Sequence, residues 1–387
     1  MEERLNAIYN KYKDIFDIKQ DEPIRKYTTL RLGGNARLFV FVKDVFSDDI
    51  YSRIAATKSI DAFISLITST PLPLQSLLHD IYSLHIPYYI LGGGSDVLFS
   101  DDVYEGIVIK ISCSHSFDLP AIAVTNPQMN TPAESFVRHK KVTETNQKHD
   151  LSFSDLQFAE DHSSPLYVYV EAGKMVSVFI IETLRKNLSG MHWFSHIPAS
   201  IGGGVFNNIH GGSIFFSEYI DYVVVLRHDK ADWKIVAVTH DEMHFAYDHS
   251  LIQEGEDIVL GVLFKLYRQS DEEILKAKSF SETWIGQKIQ VQPKAFSAGS
   301  TFKNLTEEQQ EKLGLPTNSA GYLIDQMGLK GKKIGGAQIF EEHGNFFINA
   351  DNASSNDFKA LMDYAIESVK NKYGIVLEPE IKVVNFH

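Results

Sequence analysis

Tyr88-Tyr-Ile-Leu-Gly-Gly-Gly-Ser-Asp-Val97 is a short apolar run closed by three glycines, and it narrows the nucleotide-binding folds open to this chain. Ahead of it Leu74, Leu77, Leu78, Ile81 and Leu84 repeat at helical spacing until Pro87, so Tyr88 to Leu91 reads as a buried strand entering a turn. The dinucleotide fingerprint G-x-G-x-x-G needs glycine at 97, where valine stands, and no long crossover helix opens here. That excludes a Rossmann loop. Leu91, Gly92, Gly93, Gly94, Ser95 and Asp96 can still offer bare backbone N–H groups to a pyrophosphate, with a plain tight turn as the alternative.

A second glycine-rich region weighs toward a ligand. One turn does not need Gly202, Gly203, Gly204, Gly211 and Gly212 with Asn207 and Asn208 among them, after Ile197, Pro198 and Ser200. Backbone packed closely against something flat or charged does. In Ser297-Ala-Gly-Ser-Thr-Phe-Lys-Asn304 a glycine beside Ser300 frees the approach to its hydroxyl, while Lys303 and Asn304 suit an anionic or amide-bearing ligand. An ordinary turn into the helix that Thr306-Glu-Glu-Gln opens is the alternative. Glu378 and Glu380 in Leu-Glu-Pro-Glu alternate around a proline, so an extended chain points both to one side, where a carboxylate can orient a substrate or relay a proton. Lys330, Lys332 and Lys333 form a basic cluster that reads as a solvated loop or as a lure for a phosphorylated ligand. His240-Asp-Glu-Met-His244, with His249 near, would put two histidines on one helix face and suggests a zinc hydrolase as a rival class, although the HExxH order is not met.

Strands and helices alternate without a strict βαβ rhythm, which predicts an α+β fold in several units. The expected division is 1–111 with the terminal strand 375–387, a polar, patternless surface insertion over 112–165, a second unit at 166–290, and a third at 294–373. A formal charge of -13 argues against a nucleic-acid partner, since neutralising phosphates needs a positive surface. The single cysteine, Cys113, excludes an intrachain disulfide, and no apolar stretch is long enough to span a bilayer. A cytoplasmic monomer without membrane insertion is the expectation.

With these residues assembled, the chain resembles the UDP-N-acetylenolpyruvoylglucosamine reductase family, in the class with the shorter substrate-domain link. The resemblance is carried by YTTLRLGGNA, YYILGGGSDVLFSDD, IPASIGGGVFNN, the Tyr247–Ser250 segment, SAGSTFKN, AGYLIDQMGLKG, IGGAQIFEEHGNFFIN and LEPE, in family order. It implies a two-part FAD-binding domain of the vanillyl-alcohol-oxidase/PCMH-like type, with a separate α+β domain closing over the sugar nucleotide. It also implies FAD held by Leu91–Asp96, Ile197, Pro198, Ser200, Gly202, Gly203, Asn207 and Gly211, and NADPH as hydride donor. The reaction implied is reduction of the enolpyruvyl sugar nucleotide in peptidoglycan precursor synthesis. Ser300 matches the proton donor, Glu380 the catalytic glutamate, and Tyr247, Lys288, Asn304 and His343 substrate-binding positions. The short link between Tyr267 and Lys288 matches the class without an extra substrate-covering loop.

The chain departs from the family at the arginine that binds the substrate carboxylate, where Asp248 stands. Anion for cation at about 4 Å turns an attraction of roughly 4 kcal/mol, at an effective dielectric of about 20, into a repulsion of similar size. The expectations are a substitute cation (His249 or Lys303), an Asp248 that points away, or a different substrate. Asp96 and Thr28 replace asparagines, and Asn-Asn-Ile-His-Gly-Gly-Ser departs from the commoner wording.

Overall fold

The structure is a computed structural model that describes residues 1–119, 136–139, 157–160, 165–211, 214–229 and 232–386. The first unit runs α1 (Glu2–Tyr12), β1 (Asp17–Pro23), β2 (Asn35–Val42), α2 (Asp48–Ala55), α3 (Ile60–Thr68), α4 (Pro73–Ser83), β3 (Tyr88–Leu91), β4 (Val97–Phe99) and β5 (Tyr104–Ile111). Its sheet has the order β1-β2-β5-β3, with β2 and β3 both parallel to β5. Parallel strands covered on both faces need continuous apolar runs, and Leu38–Val40 and Ile107–Ile109 are buried throughout. On α1 the spacing of Leu5, Ile8 and Tyr12 makes one buried stripe, which packs on α4.

The second unit comprises β6 (Ser116–Leu119), β7 (Phe136–His139), β8 (Gln157–Glu160), β9 (Pro165–Glu171), α5 (Val176–Arg185), β10 (Leu188–Ser189), α6 (Ile201–Phe206), β11 (His210–Gly211), β12 (Ile214–Phe215), β13 (Ile220–Asp229), β14 (Asp232–Thr239), β15 (Ile258–Arg268) and α7 (Asp271–Val291). Its antiparallel sheet runs β14-β13-β15-β9-β6, with β10 on β15. Two features of this unit are not legible in the sequence. The patternless stretch begins later than its composition suggests, because Cys113 and Leu119 are fully buried and β6 is an edge strand on β9. Most of the remainder of 112–165 lies outside the described residues. Past Tyr267 the chain enters a 21-residue helix, α7, which carries Lys288 and whose Ser270 cap accepts Glu273 N–H on its hydroxyl. Its mixed sequence carries no strong apolar stripe, so periodicity alone could not reveal it.

The third unit holds β16 (Phe296–Ser300), α8 (Glu307–Leu313), α9 (Ala320–Gln326), β17 (Lys333–Ile334), β18 (Ala337–Ile339), β19 (Phe346–Asn349), α10 (Ser355–Tyr373) and β20 (Lys382–Val384). A sheet of order β16-β19-β18-β17 is covered by α10, which buries Phe358, Leu361, Met362, Ala365 and Val369. The cap of α10 is Ser354. Its hydroxyl accepts from Asp357 N–H at 3.0 Å, and Gly374 ends the helix at φ +72. The core of this unit takes in Leu30, Leu32 and Leu98 of the first. β20 then returns to pair in parallel with β4, Lys382 opposite Val97 and Val384 opposite Phe99. The architecture is α+β, and no described helix is long and apolar enough to cross a membrane.

Candidate active site

The two glycine-rich regions meet. Ser200 caps α6, and its hydroxyl accepts from Gly203 N–H at 3.3 Å and, across the cleft, from Gly93 N–H at 3.1 Å. A Cβ on Gly92 would stand 2.9 Å from that hydroxyl, so the approach depends on the missing side chain. Gly94 takes φ +74 against the Tyr27 carbonyl, where a Cβ would lie 2.0 Å from the oxygen. The Thr29 N–H and hydroxyl then hold the carbonyls of Gly94 at 2.9 Å and Ser95 at 3.2 Å. Leu91 is buried at the end of β3, Ile197 and Pro198 lead into α6, and Gly202 N–H bonds the Ala172 carbonyl at 2.8 Å. Asn207 follows α6 and donates to the Asp96 carboxylate at 2.9 Å. Gly211 lies in β11 with its α-carbon tight against the Trp193 carbonyl.

Ser300 ends β16 at an irregular register with β19, just after Gly299 at φ +77. The residues that follow it run beside the terminal segment. Glu380 N–H bonds the Thr301 carbonyl at 2.9 Å, Phe302 bridges Pro379, and Lys303 N–H bonds the Glu378 carbonyl at 2.9 Å. Two residues on, Lys382 N–H bonds the Asp96 carbonyl at 2.9 Å. Glu380 is therefore held between the Ser300 turn and the glycine loop by backbone hydrogen bonds on both sides. Beyond Lys303, Asn304 donates to the Tyr247 hydroxyl at 3.2 Å and accepts from Ala320 N–H at 3.2 Å. His343 stands close to Gly321 in the next position of α9 and receives Asn345 N–H on Nδ1 at 3.2 Å.

The electrostatics of this cleft are acidic. Burial, with the negative charges of Asp248 and Asp96, pushes the Glu380 carboxyl up to about 9. Burial likewise pushes Asp96 up to about 6, despite the Asn207 and Ser95 hydrogen bonds. Asp96 lies deep among protein atoms but keeps part of its surface open to the cleft. Asp248, 7% exposed and at φ 50, is also raised, chiefly by burial, with His210 and Lys303 opposing the rise. Asp248 thus does not turn away from the other two acids. His249 is no substitute cation for the cleft, since its ring pairs with Glu254 at 2.9 Å. Lys303 is shared with Glu378, 2.7 Å away.

Lys288 is not joined to this group among the described residues; on α7 its ammonium stands 4.5 Å from the centre of the Trp284 ring. The histidine pair fares differently from the helical reading. Residues 241–243 form a single 3-10 turn and His244 is left-handed at φ 47, so His240 and His244 do not share a helix face. No group of three or more His, Cys, Asp or Glu able to hold a metal exists among the described residues. Of the basic cluster, Lys330 pairs with Asp325 at 2.9 Å and Lys332 lies over Tyr364.

Two site residues escaped the sequence reading. Lys110, on β5 beside Leu91, donates to the Gly92 carbonyl at 2.6 Å, and burial alone pushes its amine down to about 8. A lysine inside Gly-Ile-Val-Ile-Lys-Ile was the available signal. His210 lies tilted against Tyr247 with ring centres 5.3 Å apart, and nothing in the local pattern marked it.

Comparison with known proteins points to one family. A family model described as UDP-N-acetylenolpyruvoylglucosamine reductase, C-terminal domain, matches residues 292–384. The UDP-N-acetylenolpyruvoylglucosamine reductase of Agathobacter rectalis is 29% identical over 369 residues, covering 94% of this chain and 93% of its own. That of Thermotoga petrophila is 33% identical over 219 residues, 56% of this chain and 71% of its own. The crystal structure of the Thermus caldophilus UDP-N-acetylenolpyruvylglucosamine reductase shares the fold at a TM-score of 0.59 and 24% identity, over 95% of this chain and 98% of that one.

Proposed function

This chain belongs to the UDP-N-acetylenolpyruvoylglucosamine reductase family, and we propose that it uses NADPH and bound FAD to reduce UDP-N-acetylglucosamine enolpyruvate to UDP-N-acetylmuramate, a cytoplasmic step of peptidoglycan precursor synthesis. The observation that supports this reading is the backbone pairing of 301–303 with 378–380, which runs the segment after Ser300 alongside the one that carries Glu380.

The residues present fit the cofactor. The N–H groups of Gly93 and Gly203 converge on the Ser200 hydroxyl, a cluster of backbone donors that a pyrophosphate laid along this turn would use. Lys110 is a half-buried cation whose amine is lowered by desolvation with no carboxylate beside it, and an anion there would offset that cost. When bound, FAD supplies the hydride relay from NADPH to the substrate alkene. The first two units would hold it between them, and the third would close over the sugar nucleotide.

Reduction of the alkene adds hydride to one carbon and a proton to its neighbour. Negative charge builds on the neighbouring carbon and its attached carboxylate, so the chain must stabilise that charge and then deliver the proton. Ser300 donates the proton from its hydroxyl. Glu380 carries its own proton at neutral pH, so it meets the developing charge as a hydrogen-bond donor rather than as an anion. Tyr247, Asn304 and His343 orient the sugar nucleotide, and Lys303 offers the nearest ammonium to its carboxylate.

A second reading, favoured by the buried Asp248, is a reductase of the same fold acting on a substrate that lacks the carboxylate. One experiment separates the two. NADPH oxidation by flavin-loaded protein should accelerate on adding the enolpyruvyl sugar nucleotide; no acceleration defeats the proposed reaction, and acceleration by a decarboxylated analogue alone establishes the second.

A further inference from the structure

The segment from Arg25 to Asn35 is wedged between the first unit and the loop before α10, anchored by Leu30 and Leu32 in the third unit's core. It lines a cavity of about 490 Å³ beyond the end of β4 opposite to Asp96. The polar walls are Arg25, Arg31, Asn35, Asp101, Asn352 and Ser354. Asp101 is the lone carboxylate of this lining and is already engaged, by Gly33 N–H at 3.2 Å and Ser355 N–H at 2.6 Å. Ser354 is likewise committed, to the cap of α10.

The donors are not committed. Arg31 gives one nitrogen to the Lys26 carbonyl at 2.6 Å and lies against the Phe296 ring at 5.8 Å, leaving most of its guanidinium unsatisfied. Among the described residues neither arginine has a carboxylate partner, and the side chains of Arg25, Asn35 and Asn352 make no hydrogen bond. In a chain of formal charge -13, unpaired guanidinium groups gathered round a cavity are not what general surface charge would produce. Arg31 and Asn352 hold left-handed backbone, at φ 56 and 47, which costs free energy at each position and presents both side chains from tight turns. Two guanidinium forks and two amides beside a carboxylate that already accepts two backbone N–H groups offer the donors a phosphate group needs.

We propose that this cavity is a binding site for a small phosphorylated anion, separate from the Ser300 cleft and from the cofactor loop. The proposal does not depend on the reaction assigned above. Inorganic pyrophosphate is the probe: the full-length, flavin-loaded protein is titrated while its thermal unfolding is followed, at constant ionic strength set with sodium chloride. A saturable rise in Tm is expected. The double variant Arg25→Gln, Arg31→Gln should keep wild-type turnover and weaken the apparent Kd at least about tenfold, since each lost charge-assisted hydrogen bond is worth that much. Asn352→Asp, which sets a carboxylate in the cavity without changing its shape, should give the same loss and stands in if the double variant does not fold. No saturable rise, or a rise that these variants retain, overturns the proposal.

Discussion

The two ends of β4 differ in charge while sharing one piece of backbone. Before Val97, Asp96 lies in the field of Asp248, and burial raises both Asp96 and Glu380, the latter far enough to keep its proton at neutral pH. After Phe99, the chain turns into a cavity walled by Arg25 and Arg31 whose carboxylate is already satisfied. The same parallel pairing with β20 supports both ends. Strand pairing therefore sets where these places are, and the loops on either side set what each can attract. At the acidic end low solvation changes protonation; at the basic end exposure keeps the guanidinium groups charged and available.

The largest effect should come from the acidic end. Ser300→Ala is expected to keep flavin and its reduction by NADPH while turnover falls about 10²–10⁴-fold, the span typical of a lost proton donor. Single-turnover measurement of each half-reaction checks this, and unchanged reoxidation by substrate would remove Ser300 from its role. Lys110→Met should release flavin roughly ten times more readily, as expected for one charge-assisted contact. Dialysis followed by absorbance reads that, and full retention would mean the cofactor lies elsewhere.

The protonation contrast is sharpened by Asp248→Asn. Activity should fall as pH rises through about 9, where Glu380 loses its proton. Removing the neighbouring negative charge lowers that limb by about one pH unit. Stability carries the same sign: native Glu380 keeps a proton that the unfolded chain has released, so stability declines as pH climbs from the ordinary carboxylate range toward about 9. An unmoved limb in Asp248→Asn would show that Asp248 does not govern Glu380. The smallest effect belongs to the basic end's wall, where Ser354→Ala should cost about 1 kcal/mol in denaturant unfolding through the lost α10 cap, with turnover unchanged.

Much of this was legible in the sequence because it rests on local rules. Pro87 and the glycines at 92–94 mark the two ends of β3, and Thr306 with Gln309 forms the capping box expected of α8. What could not be read depends on distant partners. Lys110 is ordinary until the Gly92 carbonyl arrives 2.6 Å away, and Asp248 is an ordinary turn residue until burial sets it beside Glu380. The histidines of 240–244 show the reverse error, since their i, i+4 spacing means a shared face only in an α-helix and the chain forms one 3-10 turn. Lys288 likewise gains its neighbour only in the fold, where α7 sets its ammonium over the Trp284 ring.

The return of β20 to β4 has a bearing on how the molecule is made. During synthesis the glycine loop is translated early, yet the peptide that bonds Asp96 and the acid that completes the cleft leave the ribosome only with residues 380–384. Until then β4 is an open edge able to pair with a neighbouring nascent chain. The protein's exposure to misassembly is greatest in the interval before β20 docks.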